Sequence, residues 1–192
     1  MTNKIKVLAI CGSTRQSSSN HNIIKAFTAL SSDIFDVRLY DGLTHLPHFN
    51  PDEDLAPDDA PAAVQDFRRQ LELADAVLIS TPEYAIGVPG TLKNAIDWTV
   101  SSMHFSKKPV ALITAGTSGH KAHQSLLGTL LIIESRISED TQVVVSSVRT
   151  KVNDQGVITD EVTLTAVRKL IQSLAGLTDG SVTACLPPPS LF

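Results

Sequence analysis

An open α/β sheet, parallel throughout and covered by helices on both faces, is the fold class that this 192-residue chain predicts. Three observations point to it. Runs of Val, Ile and Leu recur at residues 5–10, 77–79, 110–113 and 143–145, each too short for a buried helix and apolar enough for a strand covered on both sides. Helical patterns alternate with these runs. Segments rich in Gly, Ser and Pro directly follow the runs at 5–10 and 77–79, at the strand ends where such sheets receive ligands.

Taken in order, residues 5–10 form the first strand and residues 20–30 the helix after it. Residues 34–40 alternate apolar and polar side chains more than the other runs and read as an edge strand. The connection 41–60 is long, with Pro47, Pro51 and Pro57 and the acids Asp52, Glu53, Asp54, Asp58 and Asp59. Loops of this length in compact domains tend to be lids or interface segments, and Leu46-Pro47-His48-Phe49 gives this one an apolar element able to cover a site. Its acids lack the spacing and glycine of a calcium loop and are expected to face solvent. A helix over 61–73, a strand at 77–79 and a helix over 89–100 follow, the last with Pro89 in its first turn. Leu92, Ala95, Ile96 and Thr99 make its inward stripe, Lys93 and Asp97 an i,i+4 pair on its surface, and Trp98 a core or subunit-interface residue. A strand at 110–113, a helix over 120–137, a strand at 143–145 and a helix over 160–174 complete the alternation, and the tail from about 186 reads as extended. Five strands joined in this way fit a three-layer, flavodoxin-like fold of order 2-1-3-4-5, built as one domain over residues 1–192.

Composition narrows the function. The chain is 42% hydrophobic and 19% charged, an ordinary globular balance, with a formal net charge of −4. No clustered Lys/Arg face is visible, which argues against a nucleic-acid partner. The N-terminal apolar run is too short for a signal peptide, and nowhere do some twenty apolar residues follow one another. A cytoplasmic protein without membrane association is expected, with Cys11 and Cys185 as reduced thiols.

Gly12-Ser13-Thr14-Arg15-Gln16-Ser17-Ser18-Ser19-Asn20 lies between the first strand and the first helix. A terminal phosphate needs convergent donors and a positive field, which a helix start supplies through its unpaired N–H groups and macrodipole. Ser13, Ser18 and Asn20 add side-chain donors, Arg15 adds a cation, and Gly12 permits a tight exit from the strand. The loop suits a monophosphate and lacks both the Gly-Lys-Ser/Thr of a Walker loop and the Gly-x-Gly-x-x-Gly of a dinucleotide turn. The same residue types also cap helices and fill turns. Alone the loop fits either role, and the second segment tips the balance toward phosphate.

That segment, Pro82-Glu83-Tyr84-Ala85-Ile86-Gly87-Val88-Pro89-Gly90, fixes backbone direction on both sides of Tyr84 and lets main chain lie against a flat ring. Tyr84 is either a packing residue or a ligand contact, and Glu83 is better suited to hydrogen bonds with nearby backbone or a partner subunit than to general acid work. Residues 114–120 form a third strand exit, with Gly116 and Ser118, that either borders the ring or simply turns into the next helix. His120 and His123 stand three apart without an acid or Cys at ligand spacing, so no metal is expected.

At these residues the chain resembles the NADPH-dependent FMN reductase family, the flavodoxin-like group that includes quinone, chromate and azo-dye reductases. The resemblance covers most of residues 4–174 and is strongest in Gly12-Ser13-x-Arg15-x-x-Ser18-x-Asn20 and in Pro82-Glu83-Tyr84 with Pro89-Gly90-x-Leu92-Lys93-Asn94-Ala95-Ile96-Asp97-Trp98. It implies that Ser13, Arg15, Ser18 and Asn20, with Ser19 beside them, hold the FMN phosphate. It further implies that Pro82, Glu83 and Tyr84 run beside the isoalloxazine; Ala85 and Ile86 continue that segment as candidate ring contacts, and Gly116 and Ser118 are the candidates from the third strand exit. The chain departs from the family pattern at Ala85 and Gly87, where Asn and Ser are usual, so ring contacts there fall to the backbone. Gly119-His120 stands where a Gly-Gly pair is common. The implied activity is hydride transfer from NADPH or NADH through FMN to small-molecule acceptors such as quinones, flavins, azo compounds or oxidised metals, in a homodimer or homotetramer. Two other readings stay open on the sequence: an electron carrier of flavodoxin type, for which −4 is a weak charge, and a relative that has lost FMN and acts as a binding module.

Overall fold

Alternate residues of a strand point to opposite faces, and here both faces are covered, which is why the strands read as nearly unbroken apolar runs. The computed structural model describes residues 4–56 and 59–190, so Pro57 and Asp58 of the long loop lie outside the described residues. Strands β1 (Ile5–Cys11), β2 (Phe35–Tyr40), β3 (Ala76–Thr81), β4 (Val110–Gly116) and β5 (Gln142–Ser146) are parallel and ordered β2-β1-β3-β4-β5, as the alternation predicts. Leu8, Ile10, Val77, Ile79 and Leu112 pack against α2 (Ala62–Leu73), α3 (Gly90–Asp97) and α4 (His120–Ile132) through Phe67, Leu71, Leu92, Ile96 and Leu126. Val7, Ala9, Leu78, Ala111 and Ile113 pack against α1 (Ser19–Leu30) and α5 (Glu161–Asp179) through Ile23, Phe27, Val167, Leu170 and Leu174. Each of the Val, Leu, Ile and Phe side chains among these contributes roughly 1.5–3 kcal/mol on full burial, so the sheet is a stiff platform for the loops at its C-terminal edge. The registers Cys11↔Ser80, Thr81↔Thr114 and Gly116↔Ser146 bring four of those strand ends out side by side.

The α3 region follows the sequence closely. Leu92, Ala95, Ile96 and Thr99 are buried, Lys93 Nζ lies 2.6 Å from Asp97 Oδ1, and Trp98 is fully enclosed. Three helix ends differ by three residues or more. α3 ends at Asp97, not residue 100. α4 ends at Ile132, not residue 137, because Glu134 turns at φ 66° and residues 133–137 return beside β4, where Pro109 and Arg136 form a parallel bridge. α5 continues to Asp179, since Leu177 extends its buried stripe, and Gly180 stops it at φ 84°.

The long loop lies along α3. The Pro47 carbonyl accepts from Asn94 Nδ2 and Trp98 Nε1, both at 2.9 Å, and the Phe49 N–H donates to Asn94 Oδ1 at 2.8 Å. Phe49 meets Trp98 edge-on at 5.0 Å, and buried Arg68 joins the Trp98 carbonyl to Asp54. Beyond α5 the chain has no regular structure up to residue 190, but Leu186 donates its N–H to the Ile137 carbonyl at 2.7 Å and packs on the core.

Candidate functional site

A cleft of about 1000 Å³ opens above the C-terminal ends of β1, β3, β4 and β5, next to the point between β1 and β3 where the order of connection reverses. Its first wall is the loop into α1. A Cβ on Gly12 would stand 2.3 Å from Thr81 Oγ1 and 2.8 Å from Thr81 Cβ, so only glycine lets β1 leave this close to β3. The Gly12 N–H is used by the Ser80 carbonyl at 2.8 Å, whereas the N–H groups of Thr14, Gln16 and Ser17 meet no acceptor among the described residues. Ser18 caps the helix, its Oγ accepting the Asn20 N–H at 3.2 Å, and its hydroxyl also meets the Cys11 thiol. Ser13 Oγ lies 3.5 Å from the Tyr84 hydroxyl, and Arg15 is exposed with no ion pair among the described residues. Orphan N–H groups, hydroxyl donors and a free guanidinium at a helix start are the chemistry of an anion cradle.

Asn20 works from behind this cradle. It lines the cleft but is only 3% exposed, with Nδ2 donating to the Ala115 carbonyl and Oδ1 accepting from Ser80 Oγ, both at 3.0 Å. The side chain therefore joins the first turn of α1 to the ends of β3 and β4 and holds the loop in register.

The second wall is the turn after β3. Tyr84 and Gly87 exchange both main-chain hydrogen bonds, at 3.0 and 2.9 Å, around Ala85 at φ 48° and Ile86 at φ 64°. Two consecutive left-handed residues make the tight turn that usually takes Asn-Gly. A β-branched residue at positive φ is an outlier, and such strain costs on the order of 1–3 kcal/mol per residue. Ile86 is 72% exposed, so burial within the chain does not offset that strain. The turn holds Tyr84 half-exposed at the cleft mouth, while Pro82, Ala85 and Ile86 lie outside the cleft lining.

Glu83 ties this turn to α4. Its Oε2 accepts the N–H groups of Lys121 at 2.9 Å and Ala122 at 2.8 Å, and these bonds, led by Ala122, hold the carboxyl below its ordinary range. Gly119, at φ 101°, offers α4 no side-chain cap, so Glu83 supplies one from outside the helix. Gly116 and Thr117 line the cleft at the β4 exit, whereas Ser118 faces solvent and presents its carbonyl to Ser146 Oγ at 2.8 Å.

A third wall was not foreseen. Ser147, Val148, Arg149 and Thr150 after β5, with Asn22 and Lys25 of α1, close the far side of the cleft. No motif marks them. The one available signal was that β5 must neighbour β4 in the order 2-1-3-4-5, which puts its exit beside residues 116–118.

Elsewhere near the site, His123 is buried between Thr114 Oγ1, 2.9 Å from Nδ1, and Gln142 Oε1, 2.5 Å from Nε2. Burial holds its pKa below the ordinary imidazole value. Burial likewise pushes the Cys11 thiol up to about 11, so it stays protonated. Among the described residues no three His, Cys, Asp or Glu side chains gather as a metal site would require.

A doubly wound parallel sheet of order β2-β1-β3-β4-β5, with a polar loop after β1 and a strained aromatic turn after β3 opening on one cleft, is flavodoxin-like. Residues 5–150 match the family described as NADPH-dependent FMN reductase, and the chain belongs to that family. It is an FMN-dependent oxidoreductase that draws on NAD(P)H. An NAD(P)H-dependent FMN reductase of Pseudomonas aeruginosa is 34% identical over 179 residues, covering 91% of this chain and 95% of that protein. A quinone reductase of Escherichia coli is 28% identical over 171 residues, covering 85% and 90%. Among solved structures, the flavoenzyme NAD(P)H:(acceptor) oxidoreductase of Paracoccus denitrificans superposes with a TM-score of 0.75 at 27% identity, over 92% of this chain and 98% of that one.

Proposed function

We propose that FMN lies along this cleft with its phosphate in the loop after β1 and its ring between Tyr84 and the β4 exit, and that quinones are the acceptors. The observation that carries the reading is the loop itself: N–H groups of Thr14, Gln16 and Ser17 that meet no acceptor among the described residues, beside the Ser13 and Ser18 hydroxyls and an Arg15 with no ion pair among them. Ser13, Arg15, Ser18 and Ser19 hold the phosphate, and Asn20 fixes the loop that presents them. Pro82, Glu83, Tyr84, Ala85 and Ile86 flank the ring through their backbone and the Tyr84 side chain, with Gly116 and Ser118 on the opposite border.

When bound, FMN accepts hydride from NAD(P)H and passes reducing equivalents to an acceptor. The protein contributes position. Tyr84 keeps the cradle and the ring turn in contact through its hydroxyl, and Glu83 anchors the turn to α4, so the strained backbone at Ala85 and Ile86 keeps one conformation. An exposed turn discriminates poorly among flat acceptors. Quinones are favoured because relatives from Escherichia coli and Solanum tuberosum are named a quinone reductase and an NAD(P)H:quinone oxidoreductase. NAD(P)H as reductant implies the cytoplasm, and no described helix is long and apolar enough to cross a membrane.

A second copy of the chain completes the assembly. Phe49, Leu55, Val100 and Met103 are exposed on the long loop and on the segment after α3, which Asp54 joins by bonding both Ser101 and Arg68. Exposed apolar side chains gathered in this way mark an association surface. The test is to reconstitute the protein with FMN and follow NADH and NADPH oxidation with a benzoquinone acceptor, with mass measured by light scattering. Quinone-dependent oxidation by an oligomer supports the reading; a flavin-loaded monomer that neither nicotinamide reduces overturns it.

A further inference from the structure

We infer that Arg149, assisted by Lys25, forms a second anion position in the cleft that receives the 2′-phosphate of NADPH and sets a preference for NADPH over NADH; this rests on the flavin reading above. Arg149 and Lys25 both line the cleft, both are exposed, and neither has an ion pair among the described residues. Neither belongs to the loop between β1 and α1. In the order 2-1-3-4-5 the exits of β1 and β5 are three strand spacings apart, about 14 Å at the usual inter-strand distance. Arg149 stands three residues beyond β5, at that far exit, and Lys25 on the second turn of α1.

That wall is held in place. The Ser147 N–H donates to the Thr117 carbonyl at 3.2 Å, the Thr150 N–H to the Ser147 carbonyl at 3.0 Å, and Val148 is buried beneath them. Gly156 of the following turn lies so close to α1 that a Cβ there would stand 2.7 Å from Lys25 Cβ, which fixes the base of the lysine. The Ser147 hydroxyl lines the cleft and has no partner among the described residues, adding a neutral donor. The acids lining the cleft are Glu83, whose carboxylate is committed to α4, and Asp154, which offsets one of the two charges on this wall.

Position agrees with a dinucleotide. β4 and β5 are adjacent, so a nicotinamide over the Gly116 exit leaves the rest of the molecule to cross toward residues 147–150. The group that distinguishes NADPH from NADH is a dianionic phosphate, and a guanidinium grips that chemistry in bidentate fashion.

The test titrates the FMN-loaded protein with NADP⁺ and with NAD⁺ by calorimetry, for wild type, Arg149→Ala and Arg149→Lys, alongside FMN affinity and kcat/KM for both reductants. Wild type is expected to bind NADP⁺ more tightly. Arg149→Ala is expected to lose about 10- to 100-fold in NADP⁺ affinity, as for a charge-assisted bond, with NAD⁺ and FMN affinities within twofold and Arg149→Lys intermediate. Equal losses for NADP⁺ and NAD⁺ would assign Arg149 to the shared pyrophosphate and overturn the proposal. A parallel loss of FMN would assign it to the flavin phosphate, and no NADP⁺ preference in wild type would also overturn it. Failure of wild type to take up FMN is a separate result that removes the underlying reading and this one together.

Discussion

Asn20→Ala separates two roles for a residue that sequence alone reads as a phosphate donor. The substitution deletes the 3.0 Å bond to the Ala115 carbonyl and the 3.0 Å bond from Ser80 Oγ, both buried. Each is worth about 0.5–1.5 kcal/mol net, and stranding the fully buried Ser80 hydroxyl adds part of a desolvation penalty of about 1–3 kcal/mol. The flavin-free protein is therefore expected to lose about 2–4 kcal/mol, a large share of the ~5–15 kcal/mol that typically separates folded from unfolded chains. Urea denaturation followed by circular dichroism reads this directly as a lower midpoint at unchanged slope. Asn20→Asp, which sets a carboxylate oxygen against the Ala115 carbonyl, is expected to be at least as damaging. If Asn20 were only a ligand to phosphate, the flavin-free variant would match wild type within about 0.5 kcal/mol, the usual range for a neutral surface change, and only FMN affinity would fall. That result would refute the framing role.

Two further outcomes follow from the strained turn and the buried imidazole. Ile86→Gly releases a left-handed conformation that costs a non-glycine residue about 1–2 kcal/mol, against the ~0.5–1 kcal/mol entropic cost of glycine. A small gain in stability, read as a Tm rise of up to about 4 °C, is expected by calorimetry, and a fall in Tm would show that the exposed Ile86 side chain outweighs its backbone. His123 is held neutral in the folded state, so between its lowered pKa and its ordinary one the unfolded chain binds more protons. Its contribution is complete above the ordinary imidazole value and is lost as pH falls below it; His104 shifts in the same direction through burial. His123→Gln is expected to flatten, without abolishing, the decline in urea midpoint between pH 7 and pH 5, and an unchanged slope would exclude His123 as a source.

The strands were legible because β1, β3 and β4 are buried on both faces and leave nearly unbroken apolar runs. The end of α4 was not: Ile133 and Ile137 continue a helical spacing, yet both serve the core from a returning segment, and apolar periodicity does not distinguish the two. The loop after β1 was legible as a phosphate candidate only together with the Tyr84 segment, since Ser and Asn after a strand also cap helices and fill turns. The role of Asn20 required knowing that the ends of β3 and β4 sit beside it. The turn at Ala85 and Ile86 was hidden by its own strain, because neither residue advertises positive φ. Arg149 was invisible for a plainer reason, being an isolated arginine whose neighbours belong to strand ends distant in sequence.

The loop after β1 as a phosphate cradle is the centre of the account, and the most direct measurement compares FMN with riboflavin, which differs only by that phosphate. Fluorescence titration of flavin-free wild type is expected to give one FMN per chain, bound at least 100-fold more tightly than riboflavin, since several charge-assisted bonds of about 1.5–3 kcal/mol each are at stake. In Arg15→Ala that preference should shrink by about 10- to 100-fold while riboflavin affinity holds. Equal affinity for the two flavins in wild type, or a preference untouched by removing Arg15, would contradict it.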